Sequence, residues 1–284
     1  MTTLASLRGL ALGDALGSQF FVPANRDHLD TRTLPPGLWQ WTDDTEMACS
    51  IHAVLNAHGH IDQDALATSF AEHHDFDRGY GPSVNRMLRL IRTGEPWRDL
   101  AAAVFDGAGS YGNGAAMRVA PLGVFFAHDL ALCADQAALS AAITHTHPEG
   151  IAGAIAVAVA AALATRAPID PADFLTDVLD HVPPSAVHDG IARARTLTTA
   201  EEAAIQLGNG RHTSAQDTVP HALWVAAHHL TDFESAFWTT ASAGGDIDTN
   251  CAIVGGIVAA RVGLDGLPTW PCEPLPTWAG ISGT

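Results

Sequence analysis

The stretch 151–164, IAGAIAVAVAAALA, is the longest uninterrupted apolar run in the chain. Its many alanines favour an α-helix, because alanine loses the least side-chain entropy when a helix forms. A helix that spans a membrane needs roughly 20 apolar residues, and this run is shorter. We therefore predict a helix buried in the core and no membrane-spanning segment.

Helical periodicity continues on both sides of this run. Apolar residues recur at three- and four-residue steps in three places, at Met47, Ile51, Val54 and Leu55, at Val84, Met87, Leu88 and Ile91, and at Ile253, Gly256, Ile257 and Ala260. Such spacing is typical of helices that bury one face. Asp62 and Asp170 stand where helix N-caps are expected, and alternating strand patterns are scarce. The sequence predicts an all-α fold.

No fixed-period repeat or long linker divides the chain. Only its end changes in character, with four prolines and two tryptophans between Pro268 and Trp278. We predict one compact helical domain over residues 1–264 and an irregular Pro/Trp-containing tail over residues 265–284 packed on it.

Composition excludes several functions. The 284 residues carry a formal charge of −17, and all 14 basic residues are arginine. Without lysine the chain cannot be a Schiff-base enzyme, a Walker-type ATPase or a protein kinase. The net negative charge argues against a general nucleic-acid or anionic-membrane surface. The four cysteines form no CxxC pair and no leader pattern is evident, which predicts a cytoplasmic protein with reduced thiols.

Two short acidic motifs stand out, Trp41-Thr42-Asp43-Asp44-Thr45 and Gly244-Gly245-Asp246-Ile247-Asp248-Thr249. Each places two carboxylates and a hydroxyl at a helix start. If the motifs converge, their four carboxylates repel one another unless a cation lies between them. Oxygen ligands suit Mg²⁺, Mn²⁺ or Ca²⁺, and a pair of such ions can activate water. The alternative is that both are ordinary acids at helix N-termini.

Each of the remaining motifs has a functional and a structural interpretation. The glycine-rich stretch 107–118 can bind an anion through backbone N–H groups, or it is a plain connection. Its Arg118 either clamps an anion or forms a buried ion pair. Asp14 is either a structural acceptor or a partner of metal ligands. His145 and His147 make a poor zinc site because no third ligand is near.

In this order the motifs resemble the ADP-ribosylglycohydrolase family, which includes dinitrogenase reductase-activating glycohydrolase. The matching stretches run from about residue 9 to 262: GLALGDALG at 9–17, WTDDT at 41–45, GNGAAMRVAP at 112–121, THTHPEG at 144–150 and SAGGDIDTNCA at 242–252. The paired TDDT and DIDT motifs carry most of the resemblance, and GDALG and NGAAMR support it.

The resemblance implies a compact all-α fold with two Mg²⁺ or Mn²⁺ ions in one cleft. The metal ligands it implies are Thr42, Asp43, Asp44, Asp246, Asp248 and Thr249. It implies that Gly112, Asn113, Gly114 and Met117 hold the diphosphate and ribose of ADP-ribose, and that His147 lines the same cleft. The implied reaction is hydrolysis of the bond between ADP-ribose and an acceptor.

One position departs from the family. Where the family commonly carries a glutamate after GDALG, this chain has Phe21, which can neither bind Mg²⁺ nor transfer a proton. The acid–base work then falls to Asp43 or Asp44, or to another acid, for which Asp77 is the candidate. Phe21 is instead expected to stack on an acceptor group.

Three functions follow from these motifs. The first is a metal-dependent hydrolase that releases ADP-ribose from a protein side chain, a nucleobase or a small molecule. The second is a catalytically silent ADP-ribose-binding protein, and the third is a two-metal phosphoesterase acting on nucleotides. The acceptor, the anomer of the bond, the choice of Mg²⁺ or Mn²⁺ and the oligomeric state stay open at this level.

Overall fold

Helices account for the regular structure of the described residues, which are 3–166 and 170–281 in a computed structural model of the chain. Within these ranges there is no β-strand, only two isolated bridges. The α-helices are α1 Thr3–Gln19, α2 Arg26–Thr31, α3 Asp43–His58, α4 Gln63–His73, α5 Pro82–Arg92, α6 Trp97–Ala103, α7 Ala120–Phe125, α8 Leu130–Ala142, α9 Pro148–Ala164, α10 Pro171–Leu179, α11 Ala186–Ala194, α12 Ala200–Leu207, α13 Ala215–His228, α14 Phe233–Ser242 and α15 Ile247–Val262. The predicted all-α single-domain fold is confirmed.

Helix α9 contains the apolar run and lies at the centre of the molecule. Gly150 and every residue from Ala152 to Ala164 are buried. Helices α7, α8, α13 and α15 pack around it. Small side chains allow neighbours to approach on every face, so α9 is buried all round, as the sequence predicts.

Helices α1 and α15 lie close together because Gly9, Gly13 and Gly17 of α1 face α15. A Cβ added at Gly13 would collide with the carbonyl oxygen of Cys251, and one added at Gly17 would come within 2.8 Å of the Cα atom of Asp248. The GDALG motif therefore sets how closely α1 approaches the N-terminal turn of α15.

The sequence also predicts local features of the helices. Asp62 accepts a hydrogen bond from the Ala65 amide at 3.0 Å, and Asp170 accepts one from the Ala172 amide at 2.8 Å, so both act as N-caps. The stripe that begins at Met47 is buried along α3.

The C-terminal segment runs beside the chain that enters α3. Residues 265–281 contain only 3₁₀ turns, at Leu264–Gly266 and Thr277–Ala279. Residues 282–284 of the predicted tail lie outside the described residues. The Trp39 amide donates to the Pro271 carbonyl at 2.8 Å, and the Trp41 indole donates to the Pro274 carbonyl at 3.4 Å. Among the described helices, none is long and apolar enough to cross a bilayer.

Candidate active site

Asp14 organises the start of α3. This buried carboxylate accepts hydrogen bonds from the amide and hydroxyl of Thr42, at 2.9 and 2.8 Å, and from the amide and hydroxyl of Thr45, at 3.2 and 2.5 Å. Thr42 also caps the helix by accepting from the Asp44 amide at 3.4 Å. The GDALG motif on α1 thus holds the TDDT motif in place.

The start of α15 carries the second acidic motif. Asp246 is the N-cap residue, and its Oδ2 accepts a hydrogen bond from Asn113 Nδ2 at 2.7 Å. Asp248 Oδ1 accepts from the Thr249 amide at 2.8 Å. The Thr249 hydroxyl donates to Asp44 Oδ1 at 3.5 Å, and this contact joins the two motifs.

Both motifs form one wall of a cavity of about 410 Å³. Of the residues implied as metal ligands, Asp43, Asp44, Asp246, Asp248 and Thr249 line it. Gly112, Asn113, Gly114 and Met117 line the same cavity. Two segments that are 200 residues apart in sequence therefore meet, and the glycine-rich loop adjoins them.

The carboxylates of this wall are strained by burial and by one another. Burial, then repulsion from Asp14, raises the pKa of Asp43 to about 8. Burial and the neighbouring carboxylates raise the pKa values of Asp44 and Asp248 well above the ordinary range. Burial also raises the pKa of Asp246, although its hydrogen bond with Asn113 opposes the rise. Each carboxylate would be more stable ionised if a cation lay nearby.

Asp44 offers an unused ligand atom for a cation in this wall. Its Oδ2 atom is buried and accepts no hydrogen bond from any described residue. Carboxylate and hydroxyl oxygens are the ligands that Mg²⁺ and Mn²⁺ prefer. No group of three or more His, Cys, Asp or Glu side chains among the described residues has a ready-made metal-binding arrangement. The residues thus have the donor chemistry for Mg²⁺ or Mn²⁺, but their side chains are not gathered around one point.

Four predicted site residues lie outside the cavity lining. Phe21 is 51% exposed in the turn that follows α1. Asp77 is exposed and lies in a 3₁₀ turn, where its amide donates to the Asp75 carboxylate. His147 caps α9 by accepting from the Glu149 amide at 3.1 Å. The Thr42 hydroxyl donates to Asp14, as described above. The His147 ring nonetheless lies edge-on to the ring of Tyr111, a lining residue, with centroids 5.5 Å apart, and Thr42 directly precedes the lining residue Asp43.

Asn113 has a structural role in addition to the ligand contact that the resemblance implies. Its amide nitrogen donates to Asp246 Oδ2 at 2.7 Å and to the Thr218 hydroxyl at 3.0 Å. Both amide hydrogens are therefore used within the protein, and only the side-chain oxygen is left for a ligand. Asn113 orients an acid of the α15 motif.

Several residues of the cavity were not found from sequence. The aromatic rings of Phe105 and Tyr111 lie stacked with centroids 5.8 Å apart, and both side chains are about half exposed at the cavity. His145 lines the cavity where His147 was expected. The THTHP stretch contains both histidines, and contacts with Thr144 and the Ala141 carbonyl hold His145 at the cavity.

Glu46 was also not found, although it follows the TDDT motif. It is buried and accepts hydrogen bonds from the Tyr80 hydroxyl at 2.7 Å and the Asp75 amide at 3.0 Å. Glu46 thereby ties the loop after α4 to α3, and Gly79 and Gly81 of that loop line the cavity. Its position in the first turn of α3 gave no signal of a long-range contact.

Comparison with known proteins identifies the family of this chain. Residues 3–282 match the family model of ADP-ribosylglycohydrolase. Human ADP-ribosylhydrolase ARH3 is 31% identical over 94% of this chain and 88% of the human protein, and bovine ADP-ribosylhydrolase ARH3 is 32% identical over 82% of this chain and 74% of the bovine protein. A solved structure described as an ADP-ribosylglycohydrolase-related protein complex superposes with a TM-score of 0.70 at 27% identity, covering 94% of this chain and 89% of that one. This chain belongs to the ADP-ribosylglycohydrolase family.

Proposed function

We propose that this protein is a metal-dependent hydrolase that cleaves the bond between ADP-ribose and an acceptor. The observation that carries the proposal is the meeting of the two Asp-Thr motifs on one wall of the cavity, where Asp44 Oδ2 is buried without a hydrogen-bond donor. Family membership supplies the substrate class, since the relatives named above are ADP-ribosylhydrolases.

The proposed ligands of two Mg²⁺ or Mn²⁺ ions are Thr42, Asp43, Asp44, Asp246, Asp248 and Thr249. When bound, such ions supply Lewis-acid polarisation and lower the pKa of bound water. Asp14 holds Thr42 and Asn113 holds Asp246, so each motif has a residue that fixes its orientation. Small shifts of the side chains in this wall are needed to bring the oxygens around the ions.

The opposite end of the cavity suits the nucleotide. The exposed faces of Phe105 and Tyr111 offer a stacking surface for a purine. Between them and the acidic wall lies the loop of Gly112, Asn113 and Gly114, for which we propose contacts with the diphosphate and ribose. This arrangement directs the far ribose, and with it the bond to the acceptor, toward the acids.

Among the described residues, the acids that line the cavity all belong to the α3 and α15 motifs, and Asp77 does not line it. We therefore propose that Asp43 or Asp44 performs the acid–base work. The exposure of Phe21 outside the lining favours one second candidate, an ADP-ribose-binding protein without turnover.

The cavity lining contains neither arginine nor lysine within the described residues, which gives a phosphoesterase little to hold a phosphate. Four free cysteines agree with a cytoplasmic location.

The test is release of free ADP-ribose from arginine-, serine- and nucleobase-linked substrates in the presence of Mg²⁺ or Mn²⁺. We expect release by the wild type, loss of release in Asp44→Asn and Asp246→Asn, and unchanged release in Asp265→Asn, an exposed acid outside the cavity. Binding of ADP-ribose without release from any substrate would identify the silent binder. Inorganic phosphate or AMP as product would identify the phosphoesterase.

A further inference from the structure

Arg118 is a fully buried cation that has no acidic partner within residues 3–166 and 170–281. Its Nη2 donates to the Ser140 carbonyl and to the Thr144 hydroxyl, both at 3.0 Å, and its Nη1 lies 3.3 Å from Met47 Sδ. Its Cζ lies 4.5 Å from the centre of the Phe70 ring, and its Nε has no hydrogen-bond partner among the same residues. The two readings of the sequence, an anion clamp and a buried ion pair, are therefore both wrong. A buried charge held in this way lowers the stability of the fold.

The Thr144 hydroxyl connects Arg118 to His145, because it contacts both side chains. Thr144 Oγ1 lies 2.7 Å from His145 Nδ1. Because a guanidinium only donates, Arg118 occupies a lone pair of this oxygen. If Nδ1 carried the histidine proton, the Thr144 hydroxyl hydrogen would be buried without an acceptor, whereas donation to Nδ1 satisfies it. The contacts thus favour the tautomer whose proton is on Nε2.

His145 Nε2 is directed at the glycine-rich loop in the cavity. A Cβ added at Gly112 would lie 3.2 Å from this atom, and one added at Gly114 would lie 3.1 Å from it. Within the described residues Nε2 has no hydrogen-bond partner. Unlike the ring nitrogens of His74 and His221, it is not completely buried. Burial, with a smaller contribution from Arg118, lowers the pKa of His145 to about 3, so the ring is neutral.

We propose that Arg118 is a positioning residue, which acts through Thr144 to keep His145 in the Nε2–H tautomer, so that Nε2 donates a hydrogen bond to an oxygen of the nucleotide in the cavity. The identity of the nucleotide rests on the proposed function. The tautomer and its control by Arg118 and Thr144 rest on the contacts above. Neither Arg118 nor Thr144 lines the cavity.

The test combines histidine ring ¹⁵N spectra with calorimetry of ADP-ribose binding. The variants are Arg118→Met and Thr144→Val, with Thr144→Ser to restore the hydroxyl and His145→Gln to assign the His145 signals. Thr240→Val is the matched control, since Thr240 is equally buried but its hydroxyl donates to the Ala236 carbonyl of its own helix at 2.8 Å. If Arg118→Met fails to fold, Thr144→Val still decides the question.

We expect the Nε2–H pattern in the wild type, in Thr144→Ser and in Thr240→Val. Thr144→Val and Arg118→Met should lose that pattern and bind ADP-ribose about tenfold more weakly, as expected for one hydrogen bond. An Nδ1–H pattern in the wild type, or equal behaviour of Thr144→Val and Thr240→Val, overturns the proposal. If the wild type does not bind ADP-ribose, the proposed function fails, while the spectra still decide whether Arg118 and Thr144 set the tautomer.

Discussion

At the scale of single residues, Asp44 illustrates the tension between folding and ion binding. Its carboxyl group is buried among other acids, and one of its oxygens has no donor among the described residues. In chelator near neutral pH, Asp44→Asn should therefore raise the free energy of unfolding, by on the order of 1 kcal/mol, because it removes an acid whose ionisation is opposed by burial and by its neighbours. With Mg²⁺ or Mn²⁺ present, the wild type should instead have the higher free energy of unfolding. Urea unfolding with and without the ion measures both values.

The comparison of the two conditions is the control for Asp44→Asn. Asp265→Asn should be indistinguishable from the wild type in both, since Asp265 is exposed. A variant that is less stable than the wild type even in chelator would show that the acidic wall is not strained in the absence of ions.

His221 gives a second prediction at this scale. Its ring is buried in α13, neither ring nitrogen has a hydrogen-bond partner in the part of the chain that the structure describes, and burial lowers its pKa from 6.5 to about 4. Below 6.5 the unfolded chain binds a proton that the folded protein does not, so His221 destabilises the fold as the pH falls from 6.5 toward 4. Between neutral pH and pH 5 this contribution is roughly 2 kcal/mol.

Replacement of His221 by leucine should flatten that loss of stability on acidification. The measurement is the free energy of unfolding of both proteins across this pH range. His229→Leu, at a half-buried histidine near the end of the same helix, serves as the comparison. An unchanged pH slope in His221→Leu would mean that this ring is protonated or hydrated in the folded protein.

At the scale of helices, the crossing of α1 and α15 joins the two acidic motifs. Gly13 lies where a Cβ would collide with the Cys251 carbonyl oxygen. Gly13→Ala should therefore lower the free energy of unfolding by about 1–3 kcal/mol, since a backbone atom cannot move aside easily. Thermal unfolding tests this. Gly81→Ala is the control, because a Cβ there meets nothing within 4 Å, and equal melting temperatures of the two variants would contradict the prediction.

Prediction from the sequence succeeded for elements whose signals are local. The apolar run of α9, the stripe that begins at Met47 and the caps Asp62 and Asp170 all depend on neighbours within a few residues. The roles of Asn113 and His145 depend on chain segments that are distant in sequence. Only the folded chain brings Asn113 to Asp246, and His145 to Gly112 and Gly114.

At the scale of the whole molecule, the C-terminal segment stabilises the chain that leads into the acidic wall. Glu273 accepts two hydrogen bonds from Arg78, at 2.7 and 3.0 Å, in a pair that is mostly shielded from solvent. Arg78 also donates to the Trp41 carbonyl at 2.8 Å and stacks on the Trp41 ring at 3.6 Å. Thr42 and Asp43 follow directly, so a contact near the end of the chain fixes the approach to α3.

Glu273→Gln should therefore have two effects. Loss of the paired charge should lower the free energy of unfolding by about 1–2 kcal/mol. The concentration of Mn²⁺ needed for half-saturation should rise about threefold, because the backbone before Asp43 is held less firmly. Asp64→Asn is the matched control, since it breaks the exposed ion pair with Arg98 and should change neither value measurably. A stability loss in Glu273→Gln with an unchanged Mn²⁺ midpoint would show that the C-terminal segment supports the fold without reaching the site.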